Sequence, residues 1–259
     1  MLTALLRHDR WFVLAALLTV IVLAWSYLLL GGGLSMEPMD MGGGQTMAME
    51  PEWTQGYALL MAVMWVIMMM AMMLPSAAPA ILLAAALMRQ RGGDVWFGST
   101  GLFVLGYLAV WFGFSLIAVA LQWGLNRAGM LSADMASRSG MLSGLLLIAA
   151  GVYQFSRWKQ ACLVQCRSPF DLITRHWRRG RLGPLLAGLW HGLFCLGCCW
   201  MMMALLFVGG VMNLLWIAAI AVFVGFEKLL PAGRRMSQVT GILLMIAGVT
   251  IGAGAALSK

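Results

Sequence analysis

The feature that most constrains this chain is a series of long apolar windows separated by glycine, proline and charge. They fall near 11–30, 57–74, 97–121, 140–157, 184–208, 212–229 and 238–256. A helix rises about 1.5 Å per residue, so about 20 apolar residues cross the roughly 30 Å hydrocarbon core of a bilayer. The expected fold class is therefore all-α: a polytopic transmembrane helical bundle of about seven helices, one integral membrane domain over 1–259. Two windows need comment. Arg7 and Arg10 precede the first run, as in a secretory signal, but it is long enough to span and no small-x-small cleavage site closes it. An uncleaved first helix is expected. The second window continues past Pro75 and Pro79 to Met88, which predicts a kink or a short helix near the membrane surface.

Composition decides which solvent this is. Hydrophobic residues make up 62% of the 259 positions and charged residues 10%, against roughly a quarter charged in a soluble domain. The lipid bilayer is the first partner. The net charge of +8 then reads as loop charge that sets orientation, and no nucleic-acid partner is expected. With the N-terminus inside, 14 of the 17 Lys and Arg fall in inner segments, leaving Arg127, Arg138 and Lys259 outside. Seven spans put the C-terminus outside. The expected location is a bacterial inner (cytoplasmic) membrane.

Two loops stand out. The outer loop over 31–56 has no Lys or Arg, four acids (Glu37, Asp40, Glu50, Glu52) and five methionines, in the segment MEPMDMGGGQTMAME. The inner loop over 158–183 is basic and carries His176 and Trp177, which reads as an interfacial helix against anionic headgroups or simply as charge that controls topology.

Sulfur is the second signal, with 23 methionines and five cysteines. Five cysteines over this length make no disulfide scaffold, and reduced thiols are expected. Met36, Met39, Met41, Met47 and Met49 occupy the glycine-rich outer loop, where there is no apolar core to fill. Thioethers are uncharged and polarizable and favour Cu(I) over hard cations, so this loop reads either as a Cu(I) collector or as a Met-rich linker. In the second helix Met61, Met64, Met68 and Met72 recur at steps of three and four, on one stripe. Packing alone often explains such a stripe.

The fifth window adds chemistry that packing does not need. His191, Cys195, Cys198, Cys199 and Met202 follow at steps of three or four, so one face carries an imidazole, thiols and a thioether. An imidazole within a span is costly and usually functional or hydrogen-bonded to a neighbour; the alternative for the whole stripe is a small-residue packing seam with inert buried thiols. Gly188 and Gly192 let a neighbouring helix approach that face. A third set, Cys162 and Cys166, has i,i+4 spacing at the cytoplasmic end of the fourth helix. Arg157, Lys159 and Arg167 lie nearby in sequence, and positive neighbours favour thiolate. The spacing is not that of a closed zinc site. Tyr153 and Gln154 are candidates for hydrogen bonds across helices, Asn213 for the cap of the sixth helix. Glu227 and Lys228 read as an interfacial charge pair or end-of-helix anchor.

These motifs are similar to those of a bacterial family of predicted metal-binding integral membrane proteins. The residues that carry the resemblance are MWVIMMMAMMLPSAAP at 64–79, YQFSRWKQACLVQCRSP at 153–169, HGLFCLGCCWMMM at 191–203, MNLLW at 212–216 and the pair at 227–228. The resemblance implies a membrane-embedded metal site built from Cys162, Cys166, Cys195, Cys198 and Cys199, with methionines of the second helix. It implies no particular reaction.

The expected function is binding and transport of Cu(I), with other soft metals as remaining candidates, rather than catalysis. Met64, Met68 and Met72 would face His191, Cys195, Cys199 and Met202 at mid-membrane, and Cys162 and Cys166 would form a separate inner station. No ATPase phosphorylation loop or P-loop is visible, so movement would be passive or coupled to another gradient. Periplasmic or cytoplasmic copper carriers are the candidate soluble partners, and a homo-oligomer stays open. Two alternatives remain: a membrane thiol–disulfide oxidoreductase and a copper-insertion factor without net transport. Against the first, Cys195 and Cys198 have the C-x-x-C spacing but not an activating helix N-terminus.

Overall fold

The computed structural model describes residues 2–31, 39–40, 46–47, 53–92, 96–132, 135–168, 170, 182–230 and 233–257. Their architecture is all-α. In chain order the helices are α1 (Leu2–Leu29), α2 (Gln55–Gly92), α3 (Trp96–Arg127), α4 (Gly140–Gln154), α5 (Arg157–Arg167), α6 (Gly183–Ala204), α7 (Leu206–Gly209), α8 (Leu214–Leu229) and α9 (Gly233–Leu257). Extended pairing among the described residues is limited to a two-residue antiparallel ladder, with Met39 opposite Met47, and a single bridge between Leu131 and Ser137. Met36, Met41 and Met49 of the expected collector lie outside the described residues, as do His176 and Trp177 of the expected interfacial helix.

Among the described residues five stretches are long and apolar enough to cross a membrane: Trp11–Leu29, Gln55–Gln90, Gly98–Arg127, Gly183–Gly209 and Gly233–Leu257. α4 and α8 are shorter, at 15 and 16 residues. Leu145, Leu215 and Ile246 are exposed on outward faces; apolar surface on this scale suits lipid and not water. The second window does not break at its prolines. α2 runs through Pro75 and Pro79 as one helix of 38 residues, about 57 Å long at the usual rise. Its neighbours α1, α3 and α8 pack along it, and packing of this kind offsets the cost of a proline inside a membrane helix.

Small residues set the two closest crossings. A side chain at Gly188 would collide with the backbone of Phe103, and one at Gly106 with the backbone of Leu185. α3 and α6 therefore touch backbone to backbone. Gly144 and Gly248 do the same for α4 and α9, each lying against the other's carbonyl oxygen at 2.7 Å from the position of an added Cβ. Asn213 caps α8 as expected, its side chain accepting from the Trp216 N–H at 3.2 Å.

The fourth window is two helices. Phe155 ends α4, and Ser156 starts α5 by accepting from the Lys159 N–H at 3.1 Å. The chain turns there, so α5 packs against α6 and α8. Lys159 and Leu163 are buried in that contact.

Candidate metal centre

α6 carries the central residues, and all five of its candidate ligands, His191, Cys195, Cys198, Cys199 and Met202, are buried. The stripe does not face a single partner. The ring of His191 lies beside Phe103 and Tyr107 of α3, at 6.0 and 5.7 Å between centroids, and its Nδ1 has no hydrogen-bond partner. One turn on, Cys195 points to where α2, α3 and α8 meet. Met202 turns toward α4, where its sulfur accepts from Gln154 Nε2 at 3.2 Å. Tyr153 also reaches α6, donating to the Gly197 carbonyl at 2.5 Å. Both expected cross-helix hydrogen bonds are present.

Four helices converge on Cys195. Its sulfur lies 3.0 Å from Lys228 Nζ of α8 and 3.2 Å from the Tyr107 hydroxyl of α3. The same ammonium donates to Ser76 Oγ at 3.3 Å and approaches Met73 Sδ at 3.7 Å, both on α2. Met73 Sδ in turn lies 3.9 Å from Cys199 Sγ. The thiols of Cys198 and Cys199 each donate to the Cys195 carbonyl at 3.0 Å, the back-bonding open to a short polar side chain on a helix.

The sequence stripe misses the α2 contact by one position. Met64, Met68 and Met72 are buried, but the thioether that touches Cys199 is that of Met73. One residue rotates a side chain by about 100° around a helix, so the face that packs against the cysteines is the neighbouring one. Lys228 also departs from the sequence expectation. It is neither at a surface nor paired with its neighbour: it is buried and directed at Cys195, while Glu227 is buried and pairs with Lys159 of α5 at 2.8 Å. Adjacent helical residues point about 100° apart, which sends the two charges to different neighbours. A basic residue closing an apolar helix has the same signature whether it snorkels outward or is covered by another helix, so sequence alone does not separate the cases.

Cys162 and Cys166 do not form a distant inner station. Cys166 Sγ lies 3.9 Å from Cys198 Sγ, and Cys162 Sγ rests on Gly197, 2.7 Å from where a Cβ would be. The turn at Ser156 lays α5 along α6, so Cys166 meets Cys198 and Cys162 rests on the α6 backbone beside it. All five cysteines are free. The expected thiolate activation of this pair is also corrected. Burial, then proximity to Cys198, pushes the Cys162 thiol up. Cys166 is pushed well above the ordinary thiol value by sharing its proton with Cys195 and Cys198, and then by burial. The nearby cations are engaged elsewhere: Lys159 with Glu227, and Arg167 with the Leu230 carbonyl.

Among the described residues no group of three His, Cys, Asp or Glu side chains is placed to hold one metal ion. Any three-coordinate site here therefore draws on methionine. Cys195, Cys199 and Met73 supply two thiols and one thioether, a soft set that suits Cu(I) rather than hard cations. The sequence profile of PpoB2, described as a copper chaperone, matches residues 62–251. The chain belongs to that family. The match contains every cysteine together with Met73, Tyr107 and Lys228, so the whole cluster lies within the copper chaperone region. Comparison with curated proteins and with solved structures gave no significant match.

Proposed function

We propose that this copper chaperone carries Cu(I) through the bacterial inner membrane, spanning it seven times with the N-terminus inside and the C-terminus outside. The observation that carries the reading is the contact of Cys199 with Met73 beside Cys195, within reach of the Cys166–Cys198 pair. Cu(I) is the cargo. Cys195, Cys199 and Met73 hold it inside the bundle, and Cys198 and Cys166 receive or supply it on the α5 side, where a soluble copper carrier would dock. Sites of two or three soft donors in contact allow an ion to pass by ligand exchange without becoming free. Burial of the cluster keeps water and competing ligands away.

The test compares copper accumulation in cells expressing the wild type, Cys195→Ala/Cys199→Ala, Met73→Leu and Met72→Leu, alongside Cu(I) bound to each purified protein. The cysteine variant should lose both accumulation and binding. Met73→Leu should weaken Cu(I) binding about tenfold, and Met72→Leu should leave it near wild type, since both exchanges roughly conserve volume. Equal accumulation in all four, with no Cu(I) on the purified wild type, would sink the reading. Binding without any change in accumulation would favour an insertion factor that hands copper to another protein.

The 3.9 Å approach of Cys166 to Cys198 supports a second reading, a thiol–disulfide relay. Alkylation trapping separates the two. A redox relay must show a reversible Cys166–Cys198 disulfide in cells, whereas a metal carrier shows thiols protected by bound Cu(I).

A further inference from the structure

Two prolines remove two main-chain hydrogen bonds from the part of α2 that follows Met73. A proline has no N–H, so Pro75 cannot donate to the carbonyl of Ala71, nor Pro79 to that of Pro75. In a membrane interior the carbonyls freed in this way take donors from neighbouring helices. For Ala71 that donor comes from α1. The indole N–H of Trp25 donates to the Ala71 carbonyl at 3.2 Å, where the N–H of residue 75 would stand in an uninterrupted helix.

This is the turn that presents the copper ligand of α2. Met73 sits midway between Ala71 and Pro75, where the closing bond of the helix is missing. Its own carbonyl accepts from the Ser76 hydroxyl at 3.0 Å and from the Tyr107 hydroxyl at 3.3 Å, and Ser76 accepts in turn from Lys228. Side chains of α1, α3 and α8 thus hold the main chain of one weakened turn. Tyr107 and Lys228 also meet the sulfur of Cys195, whereas the Trp25 bond is made to the main chain of α2. Sharp helix bends are sited at proline, and a change of bend between 71 and 75 swings the Met73 thioether relative to Cys199, which it meets at 3.9 Å.

We propose that Trp25 is a positioning residue for the copper site: its indole replaces the main-chain donor that Pro75 lacks and so holds Met73 against Cys199. The inference rests on the reading of Met73 as a Cu(I) ligand. It brings α1 into the metal centre, although Trp25 lies outside the stretch 62–251 that matches the copper chaperone family. The chemistry makes the two residues interdependent. An indole donor is needed at this carbonyl only while residue 75 is proline, and any residue with an N–H at 75 makes it redundant. Simple packing of the Trp25 ring on α2 would show no such dependence.

The test is Ag(I) affinity of the purified full-length protein, with Trp25→Phe made in the wild type, in Pro75→Ala and in Met73→Leu. The phenylalanine keeps an aromatic ring and removes the donor. In the wild type it should weaken binding about fivefold, the net worth of one hydrogen bond. In Pro75→Ala it should cost nothing, because the helix again supplies its own N–H, and in Met73→Leu nothing further, because the effect passes through that thioether. X-ray absorption of the Cu(I)-loaded proteins gives a readout that a loss of stability alone does not move. Sulfur coordination should fall from three neighbours to two in Trp25→Phe and return to three in Trp25→Phe/Pro75→Ala. That double variant decides the matter if Trp25→Phe alone does not fold, and its failure to recover binding would overturn the proposal. So would an equal loss in the wild-type and Pro75→Ala backgrounds. Wild-type affinity in Trp25→Phe beside a weakened Met73→Leu would overturn this inference and leave Met73 as a ligand. Wild-type affinity in Met73→Leu would remove the reading beneath it, and the inference with it.

Discussion

Lys228 Nζ lies 3.0 Å from the sulfur of Cys195, inside the helical bundle. A fixed positive charge beside a cation site repels a divalent ion twice as strongly as a monovalent one. At about 5 Å and an effective dielectric of about 20 the difference is about 3 kcal/mol. Lys228→Met should therefore shift the preference between Ag(I) and Zn(II) toward Zn(II) by at least tenfold, read by competitive metal binding to the purified protein. An unchanged ratio would mean that the ammonium leaves the site when metal enters.

Copper loading should depend on pH through Cys166. Its thiol is held well above the ordinary value by the shared proton with Cys195 and Cys198, so at neutral pH the incoming ion must displace a proton. Affinity then rises with pH, by up to about tenfold per unit for each proton released, and keeps rising through the ordinary thiol range. Cys166→Ala should remove one proton from that slope. Ag(I) affinities at pH 6, 7 and 8 for the two proteins provide the check.

The buried pair of Lys159 and Glu227, with Ser237 donating to the carboxylate, fastens α5 to α8 and α9. Removing one partner leaves the other charge buried alone, which costs roughly 3–5 kcal/mol. Lys159→Met or Glu227→Gln should each lower the unfolding midpoint in detergent and release Cys166 from Cys198, read as faster alkylation of Cys166. Replacing both, as Lys159→Met/Glu227→Leu, should restore most of the stability. Equal loss in the double variant would show that the pair is no more than packing.

Much of this protein is determined locally. The helical class, the apolar windows and the burial of the sulfur residues follow from period and composition, because a bilayer leaves the backbone almost no alternative to helix. The burial of the α6 candidates is legible for the same reason: one helix with a period of 3.6 places His191, Cys195, Cys199 and Met202 on one side regardless of context. Gly188 was legible too, since the absence of a side chain on that side predicts a close neighbour.

What the sequence left open were relations between helices. Proline at 75 and 79 signals a kink or a short surface helix, but α2 continues through both as one helix. The apolar-biased residues at 140–157 read as one span, yet Ser156 caps a new helix and redirects Cys162 and Cys166 onto α6. Lys228 presents the same local signature whether it anchors an interface or turns toward Cys195. Its role depends on Tyr107, Ser76 and Met73, which lie more than a hundred residues away in the chain. The sequence by itself thus determined that soft donors are buried among membrane-length helices. Only the tertiary structure decided that Lys228 meets Cys195 and that Cys166 meets Cys198, because helix rotation and crossing are fixed by contacts that no local period encodes.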